Sequence, residues 1–355
     1  MAPSVVLVTG VSRFLGGHLA ARLAADPSIG RVLGVDTAPP GPDLRSRMGR
    51  VEFVRADIRN PLIAKVIARA DVDTVVHAAL SPDPSGTWGS ATKEMSVLGT
   101  MQLLAACQKA PTVRRVVLES TTAVYGASPL DPALFDETMT PNDLPTSGYA
   151  RDATEIEGYL RGFSRRRPDV STTVLRFASL VGPRIDTVVT RYFALPVVPT
   201  VLGYDARLQL LHEEDALAVL ERAVAHDDLP DVVNVAADGV LLLSQAIRRA
   251  GRVPLPVPPP AVGVVGRVLA GARIASFSPE QLRLLDFGRV VDTTRLRTDF
   301  GFTPRWTTVQ AFDDFVRGRA LRPVIAHERV EEAERLVDRG VHAAARLLAG
   351  LGART

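Results

Sequence analysis

Residues 5–17 read VVLVTGVSRFLGG, an apolar run, a glycine turn and a helix start. This pattern can bind an anion. Gly10 allows a tight turn out of the run, and Gly16 lets the next helix pack closely and turn its N-terminal amides toward a phosphate. Arg13, Phe14 and Leu15 lie between the two glycines and would line the same ligand. Asp36 ends the second apolar run, twenty residues after Gly16, where a carboxylate suits the 2′- and 3′-hydroxyls of an adenosine ribose. Asp57 ends the third run beside Ile58, where it could accept from an adenine amino group. The chemistry implied is recognition of a dinucleotide.

Such residues need a parallel sheet to hold them. Apolar runs at Val5–Val8, Val32–Val35, Val51–Arg55, Thr74–His77, Arg115–Glu119 and Thr172–Arg176 alternate with helical patterns that include 96–109 and 149–165. Strands alternating with helices predict an α/β fold: a Rossmann-type, doubly wound parallel sheet with a smaller C-terminal substrate lobe. The expected dinucleotide-binding domain is 1–180, its sheet completed by 206–240, where Val232–Val235 reads as a late strand. The substrate lobe is expected at 181–205 and 241–320. The proline run at 254–260 reads as loop or lobe crossing. Residues 321–355 carry an apolar stripe, Val330, Ala333, Leu336, Val337, Ala344, Leu347 and Leu348, opposite Glu328, Glu331, Glu332, Arg335 and Arg339. They predict an amphipathic helix that packs on its own domain or a dimer mate, with a membrane surface as the alternative.

Composition excludes several classes. The 355 residues are 46% hydrophobic and 23% charged with a formal net charge of +3, and no basic cluster is dense enough for nucleic acid. Arg165, Arg166 and Arg167 read as a solvated helix end. The single cysteine, Cys107, lies in an apolar helix and reads as core. No metal-ligating cluster stands out. The apolar stretch at 261–272 is broken by Arg267 and too short for a membrane span. Met1 to Ser4 lead straight into the first strand, so a cytoplasmic protein is expected.

Further motifs follow in order: HAA at 77–79, whose small Ala78 and Ala79 let a backbone approach a dinucleotide, ESTTAVYG at 119–126, Tyr149 opening a helix, VLRFASLVGP at 174–183 and LLHEEDA at 210–216. Together, over roughly residues 4–320, they resemble the extended short-chain dehydrogenase/reductases. Within these, they are most similar to the NAD-dependent epimerase/dehydratase group that works on nucleotide sugars, of which UDP-glucose 4-epimerase is the familiar type. The resemblance implies an NAD cofactor, a nucleotide-sugar ligand and a homodimer formed through the helices at 96–109 and 149–165, with Met101, Leu104, Ile156, Tyr159 and Leu160 as apolar contributors.

The resemblance also implies a mechanism, and this chain departs from it. In the family a Ser/Thr hydroxyl, a Tyr phenol and a Lys four residues after the Tyr act together. The ammonium lowers the phenol pKa so that a phenolate can take a proton from a sugar hydroxyl as hydride leaves. Thr121 and Tyr149 match the first two; the lysine position is Ala153. The only lysines are Lys65, Lys93 and Lys109, and Lys93 alone could lean toward the site. Arg13 replaces a middle glycine, Ser96 an asparagine, and Ser179 a substrate-binding asparagine. Thr122 and Ala123 replace the Asp-Glu of the dehydratases, so dehydration is not expected. Arg207 precedes His212 by five residues rather than the four of a diphosphate-binding arginine. His212 and Asp215 are expected to serve structure. Asp36 would repel a 2′-phosphate and favours NAD over NADP, whereas Arg13 could pair with such a phosphate, with Asp36 or with a pyrophosphate oxygen. Two functions follow: an NAD-binding protein with impaired redox catalysis, acting as a sensor or scaffold, or an active nucleotide-sugar 4-epimerase or reductase working without the lysine.

Overall fold

The computed structural model describes residues 3–78, 94–126, 128, 131–140, 148–258 and 288–324. Ala79, Lys93 and the tail helix expected within 321–355 (from residue 325 on) therefore lie outside the described residues. Seven parallel strands form the central sheet: β1 (Val5–Thr9), β2 (Arg31–Asp36), β3 (Glu52–Arg55), β4 (Thr74–His77), β5 (Arg115–Thr121), β6 (Ser171–Phe177) and β11 (Val232–Val235). Their order is β11-β6-β5-β4-β1-β2-β3. The chain winds outward to β3, then returns to β4 on the other side of β1. That reversal opens a crevice above the carboxyl ends of β1 and β4, where open α/β sheets bind ligands. Gly10, Asp36, His77 and Thr121 stand at the carboxyl ends of β1, β2, β4 and β5.

The runs of Val, Leu and Ile are buried because helices cover both faces. Helix α1 (Phe14–Ala25) packs on one face through Leu15, Leu19, Ala20 and Leu23, in a core shared with Val6, Val8, Val76 and Leu175. Helices α3 (Leu62–Arg69), α4 (Gly99–Lys109) and α5 (Gly148–Arg166) supply Ile63, Ile67, Leu103, Ile156 and Phe163 to the other face. A third apolar cluster, with Tyr192, Phe193, Leu208, Leu241, Ile247, Phe312 and Phe315, gathers residues that follow β6. No described helix is long and apolar enough to cross a membrane.

Several expectations need correction. Residues 253–257 are not a loop: VPLPV forms β13, paired in parallel with β8 (Val197–Val201). The prolines fall at alternate positions, so Val253 and Val257 keep the ladder bonds, Val253 N–H to Pro196 O and Leu202 N–H to Val257 O. Prolines are tolerated in such an edge strand. Arg167 is not a solvated helix end. Its guanidinium donates to the carbonyls of Cys107, Gln108, Ala110 and Val113 and caps the end of α4. The helix expected from Ser96 opens instead with a π turn, Glu94–Leu98, before α4. Finally, Leu104, Ile156 and Leu160 point into the protomer core rather than outward, because α4 and α5 pack on each other and on the sheet; among the described residues, Leu98 and Met101 are exposed apolar residues of that surface. Cys107 is buried, which pushes its thiol up to about 12.

Candidate active site

The glycine turn is built as its residues require. Gly10 adopts φ 74° and its N–H donates to Val35 O at 3.0 Å. A Cβ on Gly16 would lie 2.5 Å from Gly10 O, so only glycine lets α1 start this close to the turn. Asp36 is positioned by a residue that motif reasoning overlooked. Ser12 donates to Asp36 Oδ2 from its N–H at 2.9 Å and from its hydroxyl at 2.6 Å, while Thr37 N–H donates to Oδ1 at 2.7 Å. A hydroxyl two residues before the start of α1 was the available signal. Asp57 is gripped by Arg59, whose NH2 donates to Oδ2 at 2.6 Å; these bonds hold its carboxyl below the usual range. Ile58 is buried against Gly99, where a Cβ would meet Ile58 Cδ1 at 2.7 Å. Together with the small, buried Ala78, these features fit a dinucleotide laid over the α1 N-terminus with its adenosine toward Asp36 and Asp57.

The other half of the crevice is unusual. His77 is buried at the end of β4, with Thr9 Oγ1 2.7 Å from Nδ1 and Thr100 Oγ1 2.7 Å from Nε2. Thr100 gives its own proton to Ser96 O at 2.5 Å, so His77 Nε2–H must donate to Thr100 and Nδ1 must accept from Thr9. Burial, aided by the charge of Arg13, lowers His77 to about 4, so it is neutral. Ser96 Oγ is buried and has no hydrogen-bond partner among the described residues.

Thr121 closes β5, and its hydroxyl accepts from Ala123 N–H at 3.1 Å. Tyr149 comes from the first turn of α5 and shares a hydrogen bond with Thr121. The expected hydroxyl pair is therefore assembled. Tyr149 is half-buried as a residue with its hydroxyl end in the interior, and its phenol is raised well above the ordinary range. Burial is the main cause, followed by the negative charge of buried Glu119; the Thr121 bond and the charge of Arg13 oppose it less strongly. Four residues along, Ala153 is fully buried in the core that contains Val76, Ala78 and Val124. Glu119 is a second residue that motif reasoning passed over. Its signal was a carboxylate directly after the apolar Val116–Leu118 run of β5.

The same face of α5 continues to Glu157, two turns below Tyr149, and is bolted to the sheet there. Ser120 Oγ donates to Glu157 Oε1 at 2.6 Å, and Arg176 NH2 donates to Oε2 at 2.6 Å. Arg176 NH1 donates to Tyr125 OH at 2.8 Å, and Tyr125 OH donates to Asn234 Oδ1 at 2.9 Å. Burial would lower the Arg176 pKa, but its bonds to Glu157 outweigh that and raise it. This network joins α5, β5, β6 and β11, and sets Tyr149 against Thr121.

The expected substrate residues sit apart from these bonds. Ser179 opens β7 (Ser179–Val181), and Arg207, in β9 (Arg207–Leu208), donates to Ala133 O at 3.2 Å. His212 caps helix α7 (Glu213–Ala225), accepting from Glu214 N–H at 3.2 Å, and stacks on Trp306 with centroids 4.3 Å apart. Asp215 accepts from the N–H groups of Arg305 and Trp306 at 3.0 and 3.1 Å. Both tie the C-terminal segment to the core.

Residues 6–236 match the model of the NAD dependent epimerase/dehydratase family. The chain belongs to that family. It is 54% identical to an uncharacterized protein of Mycobacterium tuberculosis over 333 residues, 94% of this chain and 88% of that protein. A probable UDP-arabinose 4-epimerase of Oryza sativa subsp. japonica is 26% identical over 187 residues, half of this chain and 45% of that protein. Among solved structures, UDP-glucuronic acid 4-epimerase from Bacillus cereus, in complex with UDP-glucuronic acid and NAD, superposes with a TM-score of 0.68 at 18% identity, covering 89% of this chain and 99% of that one. The dTDP-glucose 4,6-dehydratase DesIV from Streptomyces venezuelae, with NAD bound, gives 0.69 at 20% identity, covering 89% and 97%. At these identities the structural likeness establishes the fold.

Proposed function

We propose that this member of the NAD dependent epimerase/dehydratase family binds NAD(H) and a nucleotide sugar in a site whose redox catalysis is impaired or absent, and that it works as a sensor or scaffold. The observation that carries this is Ala153: the position that should hold a cation beside Tyr149 is a fully buried methyl group. The phenol meanwhile feels burial and the Glu119 carboxylate. A phenol held this high is a poor base at neutral pH. Bound NAD would supply a hydride acceptor. Gly10, Arg13, Phe14, Leu15, Gly16, Asp36, Asp57, Ile58, Ala78 and Ala79 would hold it, with Tyr149 at its far end.

The second reading is an active nucleotide-sugar 4-epimerase or reductase that uses Tyr149 and Thr121 alone. The hydrogen bond between those two residues supports it. Ser179 and Arg207 are the proposed sugar-side contacts in both readings. The experiment is calorimetric titration with NAD and NADP, paired with turnover assays on UDP- and dTDP-sugars. Binding without turnover supports the first reading, and turnover the second. We also place the protein in the cytoplasm as a homodimer formed through Leu98, Met101 and Tyr159; a monomer by light scattering at micromolar concentration would refute the dimer.

A further inference from the structure

The third apolar cluster opens to the surface between helices α8 (Leu243–Arg249) and α10 (Thr308–Gly318). The opening is a groove of about 340 Å³, lined by buried Leu241, half-buried Val309 and the exposed Gln245, Arg248 and Arg249. Arg248 and Arg249 form the basic last turn of α8, and Arg249 NH1 pairs with Asp313 Oδ2 of α10 at 2.9 Å. The described chain ends at the same place. Val324 N–H donates to Gly251 O at 2.9 Å, and Arg252 NH1 donates to Arg322 O at 3.2 Å. Contact there is close enough that a Cβ on Gly251 would lie 2.6 Å from Pro323 Cα. Gly251 follows directly on the end of α8, so residue 325 sets out from the basic end of that helix, and Val324 is left 45% exposed there.

We propose that this groove is the seat of the chain's own residues 325–337, laid back along α8 as an amphipathic helix. The charge and apolar pattern of that segment suit it. Val330, Ala333 and Val337 recur at helical spacing and would cover Leu241 and Val309, while Glu328, Glu331 and Glu332 flank that stripe and would meet Arg248 and Arg249. The lengths agree as well. Because α8 runs toward the exit, the segment returns antiparallel to it, and at about 1.5 Å per residue Val330 lies about 9 Å beyond Val324, the same rise that separates Gln245 from the end of α8 region at Gly251. A stable contact between separate proteins buries about 800 Å² a side, more than these lining residues offer. A tethered segment needs less, since the tether sets an effective concentration of the order of millimolar. Exposed ion pairs contribute little each, so the apolar stripe and the tether hold the segment and the charges set its register.

The test is hydrogen–deuterium exchange on the full chain, read at the amides of 325–337, with circular dichroism to confirm folding. In the wild-type protein these amides should exchange about tenfold or more slowly than in Arg248→Glu/Arg249→Glu. Glu328→Arg/Glu331→Arg/Glu332→Arg, which alters no residue of the described fold, should release them likewise. Combining the two sets should restore the protection, a rescue that a merely structural role of the arginines would not give. If Arg248→Glu/Arg249→Glu does not fold, Val330→Asp takes its place beside the tail reversal, and each should release the segment. Amides that exchange at the free-chain rate in the wild-type protein, protection that survives the reversals, or no recovery on combining them would overturn the proposal. So would protection that fades on about tenfold dilution, which gives the groove to the segment of a second copy. Protection that arises only with anionic vesicles would overturn it too, by giving the stripe to a membrane surface.

Discussion

Replacing Ala153 by lysine puts the missing cation back and asks whether its absence explains the site. Side chains on a helix lean toward its N-terminus, so a lysine at 153 reaches toward Tyr149, one turn earlier. Two terms set the outcome. The first is steric. Ala153 has 0% exposure and lies in the core with Val76, Ala78 and Val124, so the three added methylenes and the ammonium overpack it at a cost of about 1–3 kcal/mol. The second is electrostatic. A unit charge about 4 Å from the phenolate at an effective dielectric of about 20 is worth about 4 kcal/mol, or about 3 pKa units, and measured effects of one neighbouring charge run from about 1 to 3. This opposes burial and Glu119, which now hold the phenol high. The Ala153→Lys protein should therefore melt a few degrees lower and show one more tyrosine ionising below about pH 11 than Ala153→Lys/Tyr149→Phe. The assay is tyrosinate difference absorbance during alkaline titration. If Ala153→Lys folds and the two curves superimpose, the argument from the missing cation is wrong.

Three other outcomes are expected. Glu157→Gln breaks a buried ion pair whose closest contact is 2.6 Å and should destabilise the protein by about 3–5 kcal/mol in urea unfolding, with part recovered in Glu157→Gln/Arg176→Met; a loss under about 1 kcal/mol would contradict the anchoring role. His77 titrates near 4 folded and near 6.5 unfolded, so below pH 6.5 the unfolded chain binds the extra proton and stability falls. The loss should total about 3 kcal/mol between about pH 6.5 and 4, it should be absent above pH 7, and His77→Gln should flatten that limb; an unchanged slope would refute the assignment. Asp36→Ala should weaken NAD binding about tenfold and narrow the preference over NADP, and wild-type protein that binds NADP as well as NAD would show that Asp36 does not set the choice.

Much of this was legible because it rests on local rules. Buried parallel strands are continuous apolar runs, so β1, β2 and β4 could be read directly, and Gly10 and Gly16 mark a turn and a contact that no side chain permits. What escaped depends on partners distant in sequence. Arg167 serves carbonyls of Cys107, Gln108, Ala110 and Val113, some sixty residues earlier, and looks like any helix-end arginine until they are placed. Leu104, Ile156 and Leu160 have the same apolar character whether a helix faces its own sheet or a second copy, and only packing decides. The VPLPV strand was hidden by prolines, which exclude a central strand but not an edge. At the site, Thr121, Tyr149 and Ala153 followed from motif order. The influence of Glu119 and Arg13 on the phenol did not, because it comes from where β5 and the glycine turn end in space.

The central claim is that Tyr149 does not act as a base here. Its most direct test is a single-turnover experiment: protein loaded with NAD is mixed with each of a panel of UDP- and dTDP-sugars, and reduction of the bound nicotinamide is followed by absorbance. The account predicts no reduction, or a rate depressed by about 10²–10⁴-fold, the usual worth of general acid–base help. Rapid reduction by the unmodified protein, abolished by Tyr149→Phe, would contradict it.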